Sequence, residues 1–122
     1  MLLIAVLRFL SIKRKLKDSP LILSDALSNF YGLASSGPAQ IRGNGYLVLT
    51  AEALIFEMYV PARKIIIPLS SMIKVDTPRT HLGKLGRAGS RLLRVTYTAD
   101  NVEEVAAWSV NHPDQWVNAL QR

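Results

Sequence analysis

The chain has 122 residues, 49% of them apolar and 20% charged, and it contains no cysteine. That length supports one domain with its own core. The missing thiols exclude disulfides, thiolate metal sites and cysteine nucleophiles, and they fit a reducing compartment. The net charge of +6 is unevenly placed. Arg8, Lys13, Arg14, Lys15 and Lys17 all precede the first acid, Asp18, and the other ten basic residues stand against nine acids. The chain therefore reads as a nearly neutral domain with a basic N-terminal tag. A nucleic-acid binder would spread cations and interleaved aromatics over the domain itself, so nucleic acid is disfavoured as a partner. A smaller basic cluster comprises Lys74, Arg79, Lys84, Arg87, Arg91 and Arg94, with Asp76 as its one acid.

Residues 1–19 form an apolar-then-basic segment and linker. The run from Met1 to Ile12 is apolar apart from Arg8 and Ser11, and its basic flank follows it. A secretory signal has the opposite order and a small-residue cleavage site. A membrane-spanning helix needs about 20 apolar residues, whereas this run covers only ~18 Å at the helical rise. Leu3, Leu7 and Leu10 share a helical face, and Arg8 and Ser11 share another with Ile4. Three readings stay open: a shallow or truncated membrane anchor, a helix packed on the domain or a partner chain, and a tail. As an anchor, its basic flank puts the folded domain on the cytoplasmic side.

Residues 20–122 form the domain. Leu16–Ser24 reads as a connector broken by Pro20. Asp25–Ala34 is a first strand or a short helix, and Ser35–Pro38 is a turn. After Gly43–Gly45, the runs Tyr46–Thr50 and Ala53–Met58 make a hairpin with one buried face, carrying Leu54, Phe56 and Met58. Lys64–Ile67 is a strand stopped by Pro68, and Leu69–Ile73 turns into Ile73–Asp76. Thr77–Ser90 is a basic, glycine-punctuated loop. Leu92–Thr98 and Val105–Val110 are strands joined across an Ala99–Asn101 turn. Asn111-His112-Pro113 opens a final helix with the stripe Trp116, Val117 and Leu120.

In Gly45–Arg122, the hairpin GYLVLTAEALIF, the turn IIIPLSSMIKV, the strand LLRVTY and the closing AAWSVNHPDQWVNAL occur in an order that resembles the pleckstrin-homology-like superfamily. The resemblance is strongest to its GRAM-like branch and to the bacterial PH-like domains of single-pass membrane proteins. It implies a mainly β protein: a PH-like barrel of about seven antiparallel strands, capped by one C-terminal helix with Trp116 as the buried helix tryptophan. Phosphoinositide-binding members use a Lys/Arg-rich loop between the first two strands. Ser35–Asn44 offers only Arg42, which argues against inositol phosphate as the ligand.

No catalytic constellation is visible. Gly83–Ser90 lacks the Lys-Ser pair and the following helix of a phosphate loop. His81 and His112 have no ligand-like spacing to other donors. Glu103 and Glu104 point to opposite faces of a strand and read as a solvated edge. Ser24, Ser90 and Ser109 have no nucleophile-elbow context, and Trp108 and Trp116 read as core. The expectation is a non-enzymatic, membrane-associated binding or scaffolding module with no cofactor, metal or small-molecule substrate. Membrane contact falls to Arg8, Lys13, Arg14, Lys15 and Lys17, and Lys84, Arg87 and Arg91 form a second anionic-surface loop. The alternative is a soluble protein-protein interaction module whose N-terminal helix docks on an unidentified partner chain or in an oligomer.

Overall fold

The computed structural model describes residues 3–4, 6–7, 10, 21–37, 40, 42–86 and 90–121. It is mainly β, with a short C-terminal helix, Pro113–Leu120. The strands are β1 (Leu21–Leu33), β2 (Gly43–Thr50), β3 (Ala53–Met58), β4 (Arg63–Pro68), β5 (Met72–Asp76), β6 (Thr80–His81), β7 (Lys84–Leu85), β8 (Leu93–Ala99) and β9 (Val102–Ser109). Seven of them form one antiparallel sheet in the order β4-β3-β2-β1-β9-β8-β5, and β6 and β7 form a separate two-stranded hairpin.

The ladders follow from the apolar alternation. Leu47 faces Phe56 and Leu49 faces Leu54 across β2 and β3, and Ile65 and Ile67 continue that face onto β4. Thr50 Oγ1 accepts from the amides of Glu52 and Ala53 and so closes the β2–β3 turn. In the β8–β9 turn both central residues, Asp100 and Asn101, have positive φ, the geometry that matches the twist of a two-residue hairpin. β1 is long enough to serve two neighbours. It pairs with β2 from Leu21 to Phe30 and with β9 from Asn29 to Leu33.

The core gathers on the inner face of this sheet: Phe30, Leu47, Leu54, Phe56, Ile67, Leu93, Val95 and Trp108 are buried there with Trp116 of the helix. Phe30, Phe56 and Trp108 meet pairwise, with ring centroids 5.4–5.9 Å apart. The stripe Trp116, Val117 and Leu120 packs on this core, and the helix touches β5 and β8.

Several expectations need correction. The sheet is not closed into a barrel: among the described residues β4 pairs only with β3 and β5 only with β8, and a 3-10 turn at Leu69–Ser71 carries the chain from one edge to the other. The first strand begins at Leu21, so Leu21–Ser24 belongs to β1 and not to a connector. The β2–β3 hairpin buries both faces. Tyr46, Val48 and Tyr59 form a second cluster on its outer side, with Glu57 also buried there. Thr77–Ser90 is not only a loop, since it contains the β6–β7 hairpin. β9 starts at Val102 and runs between β1 and β8, so Glu103 and Glu104 do not lie on an edge strand.

Gly45 faces Ser28 and Met58, and a Cβ there would lie 2.6 Å from the Phe56 ring and would overlap the Glu57 carbonyl oxygen. Gly45→Ala should therefore destabilise the domain by about 1–3 kcal/mol, the usual cost of overpacking. Urea unfolding followed by tryptophan fluorescence measures it.

Candidate functional site

The N-terminal candidates divide. Arg8, Lys13, Arg14, Lys15 and Lys17 lie outside the described residues. Leu3, Ile4, Val6, Leu7 and Leu10 are described, are helical, and are 45–70% exposed. Among the described residues no helix is long and apolar enough to cross a membrane. Five large apolar side chains on these described residues thus face solvent.

The second candidate is the basic excursion between β5 and β8. It folds back onto the outer face of the sheet, because His81 and Leu92 carry it there. Leu92 is buried with Tyr31 of β1 and Ala107 of β9. His81 is 5% exposed, and its Nε2 lies 2.9 Å from the Gly32 carbonyl oxygen. An oxygen acceptor at that distance places the proton of the neutral ring on Nε2. The amide of Leu92 donates to the Pro78 carbonyl at 2.7 Å, and that of Gly86 to the Arg79 carbonyl at 2.9 Å. These bonds close the base of the excursion. Lys84 and Arg91 are exposed on it, and an Arg91 guanidinium nitrogen donates to the Thr77 carbonyl at 3.2 Å. Arg87, the third expected cation of this loop, lies outside the described residues.

Other singled-out residues have structural work. Arg42 donates from Nε to the Tyr31 carbonyl at 2.9 Å and from a terminal nitrogen to that of Gln40 at 3.2 Å, so it braces the β1–β2 connection. Gln40 pairs its side-chain amide with the backbone of Leu33 as a strand would. Glu104 accepts from the Ser35 amide and hydroxyl and from the Val105 amide, and so caps the turn after β1. These bonds hold its carboxyl below the usual value against the opposing effect of burial. Ser109 Oγ accepts from the Asn29 amide at 3.0 Å and its carbonyl accepts from Ser28 Oγ at 2.8 Å. Trp108 and Trp116 are buried in the core. His112 precedes the helix in a left-handed conformation, with no side-chain capping bond. Among the described residues no group of three or more His, Asp or Glu could hold a metal ion.

The sequence reading missed a groove. It lies between β5 and the end of the C-terminal helix and has a volume of about 350 Å³. Leu69, Met72, Ile73 and Val75 form one side, and Leu120 and Gln121 the other. The β5–β8 register breaks between Met72 and Lys74, and Ile73 in that break is 59% exposed. Lys74 stands at the rim. Asp76, at the end of β5, takes a two-pronged hydrogen bond from Arg94 and lies 4.0 Å from Lys74. The Arg94 hydrogen bonds hold its carboxyl below the usual carboxylate value.

No family model and no curated protein matches this chain. Among solved structures it is similar to the crystal structure of the C-terminal domain of an unknown protein from Leishmania infantum, with a TM-score of 0.59 and 17% sequence identity. The match covers 92% of this chain and 90% of that one. At that identity the likeness speaks for the fold alone.

Burial lowers the pKa of His81 from its usual value, and the nearby Arg94 and Arg42 charges act the same way against the opposing bond to Gly32. The unfolded chain then binds the proton more readily, so stability falls as pH drops below about 6.5 and is full above it. His81→Gln should flatten that part of the profile, checked by denaturant midpoints between pH 5 and 7.5 for both proteins.

Proposed function

We propose that this protein is a non-enzymatic, membrane-associated binding or scaffolding module of the PH-like type. The observation that carries the reading is the cluster of exposed side chains Leu3, Ile4, Val6, Leu7 and Leu10 on helical residues, followed in sequence by Lys13, Arg14, Lys15 and Lys17. Apolar side chains gain by leaving water for an acyl boundary, and the cations behind them favour anionic headgroups. Each basic residue near such a surface contributes about 1 kcal/mol, less at high salt.

The exposed Lys84 and Arg91 supply a weaker second contact, and tethering by the N-terminus raises their effective concentration at the bilayer. The positive flank argues for the cytoplasmic side. The PH-like assignment is supported by the element order, with seven main strands followed by one helix that places Trp116 in the core. A soluble module remains the second reading, because the same exposed apolar stretch is equally able to dock on a partner chain.

Co-sedimentation of the full chain, and of a form lacking residues 1–19, with neutral and anionic liposomes tests the proposal. The deletion removes none of the described strands. The full chain should sediment and resist release by salt, and the shortened form should lose most of its binding. Failure of both forms to sediment, or ordered oligomers of the full chain with no lipid dependence, would overturn it in favour of the protein-docking reading.

A further inference from the structure

We propose that the N-terminal helical stretch docks on the outer face of the sheet of its own chain, over β2, β3 and β4, through the side that carries Ala5, Arg8, Phe9 and Ile12. The exposed Leu3, Ile4, Val6, Leu7 and Leu10 are then held outward from a fixed base. This goes beyond the membrane reading and does not depend on it, since the outward side chains are presented alike to lipid or to a partner chain.

The exposure pattern carries the argument. Each residue of an α-helix advances about 100° around the axis. Leu3, Ile4, Val6, Leu7 and Leu10, all exposed, therefore fall within one arc of about 160°. Ala5, Arg8, Phe9 and Ile12 have the spacing of a single helical stripe, and that stripe belongs to the opposite arc. A helix this apolar on every side needs cover. The first arc has none, so the cover lies on the side of Phe9 and Ile12.

The outer face of the sheet has room for such a helix on one half. The excursion fastened by His81 and Leu92 occupies the half over β1 and β9. The other half carries the buried Tyr46, Val48 and Tyr59, with Ile55 and Val60 packed against them. Ile66 extends this apolar surface from its place opposite Ile55, and it is 53% exposed. Phe9 and Ile12 gain by leaving water there. The connection reaches. β1 begins at Leu21, opposite Thr50 of β2, and the stretch 11–20 can span ~33 Å when extended, more than the full length of β2 at ~27 Å.

Charge selects this face over the groove beside β5. Glu57 is 5% exposed and stands between Tyr46 and Lys64 in the ladders. The two ion pairs among the described residues both belong to Asp76, so Glu57 has no counter-ion there, and a buried charge without one is costly. Asp25, also buried, adds its charge beside Tyr59. Arg8 lies on the docking stripe and supplies the cation that Glu57 lacks. The groove, by contrast, has Lys74 at its rim, which repels a basic segment.

The test uses the full chain in lipid-free buffer. The protein has no cysteine, so Ser11→Cys takes a nitroxide spin label at one defined place. Paramagnetic broadening of amide signals should be strongest at Ile55–Glu57 and Lys64–Ile66 and should vanish when the label is reduced. An isotope-labelled chain without the nitroxide, mixed with an unlabelled chain that carries it, should show no broadening. Arg8→Glu and Phe9→Ser should each remove most of the effect. Both substitutions lie outside the strands, so the sheet stays folded in either variant.

Unchanged broadening in Arg8→Glu would overturn the pairing with Glu57. Absence of broadening, or broadening centred on Met72–Val75 and Leu120, overturns docking on this face. So does broadening that appears in the mixed sample, which would place the helix on a second copy of the chain. Liposome binding can succeed or fail without altering any of these outcomes.

Discussion

The contact among Phe30, Phe56 and Trp108 governs the shape of this protein. The rings come from β1, β3 and β9. In the strand order, β2 lies between β1 and β3, and both β2 and β1 lie between β3 and β9. Neighbouring strands are about 4.8 Å apart, so a flat sheet would hold β3 and β9 about 14 Å from each other. Rings 5.9 Å apart require the sheet to curl over them. Gly45 of β2 makes the curl possible, since the Phe56 ring occupies the space where its side chain would be. The curl brings the two edges towards each other without pairing them, and Trp116 fills the core on that side. The helix, the open edges and the groove all follow from an aromatic cluster too compact for a flat sheet.

Curling also determines what happens outside. The outer side of the β2–β3 hairpin is covered by Tyr46, Val48 and Tyr59, with Ile55 and Val60 packed against them. Burial, with smaller contributions from Tyr46 and Asp25, pushes the Tyr59 phenol up to about 12, and its hydroxyl donates to the Ala26 carbonyl. Beside it, Leu92 and His81 fasten the basic excursion over β1 and β9. The cations of that excursion are consequently presented from a base tied to the sheet. The Trp108 indole nitrogen is buried with no hydrogen-bond partner among the described residues. Such a group costs about 1–3 kcal/mol, which measures how strongly the aromatic packing dominates at the centre.

The parts of the fold that were legible in the sequence rest on local chemistry. The pattern of β2 and β3, the stop at Pro68, the Asp100-Asn101 turn and the Pro113 helix start each state their geometry within a few residues. What escaped depends on distant partners. Nothing near Leu21 says that it will pair with Thr50. Nothing near His81 says that the Gly32 carbonyl will accept its hydrogen bond. The unbroken run Tyr46-Leu-Val-Leu49 was the available sign of a strand buried on both faces, but periodicity within one hairpin does not reveal what covers its far side. The candidate site was less legible. The N-terminal segment was readable as apolar but not as exposed, whereas the groove arises where β5 and the end of the helix meet, about forty-five residues apart in the chain.

The double role of β1 has a consequence for the making of the protein. Its first ladder, to β2, joins residues close in sequence, but its second joins Asn29 to Ser109 and Leu33 to Ala106. A ribosome delivers the chain from its N-terminus at about 5–20 residues per second. The meander β1 to β4 is therefore complete while the partner for the free edge of β1 has yet to be synthesised. Through that interval the nascent chain holds half a sheet, with Phe30 and Phe56 still waiting for Trp108. Late closure of a ladder of such high contact order is slow, and it makes the newborn chain most vulnerable to mispairing along β1, the strand at the centre of the finished sheet.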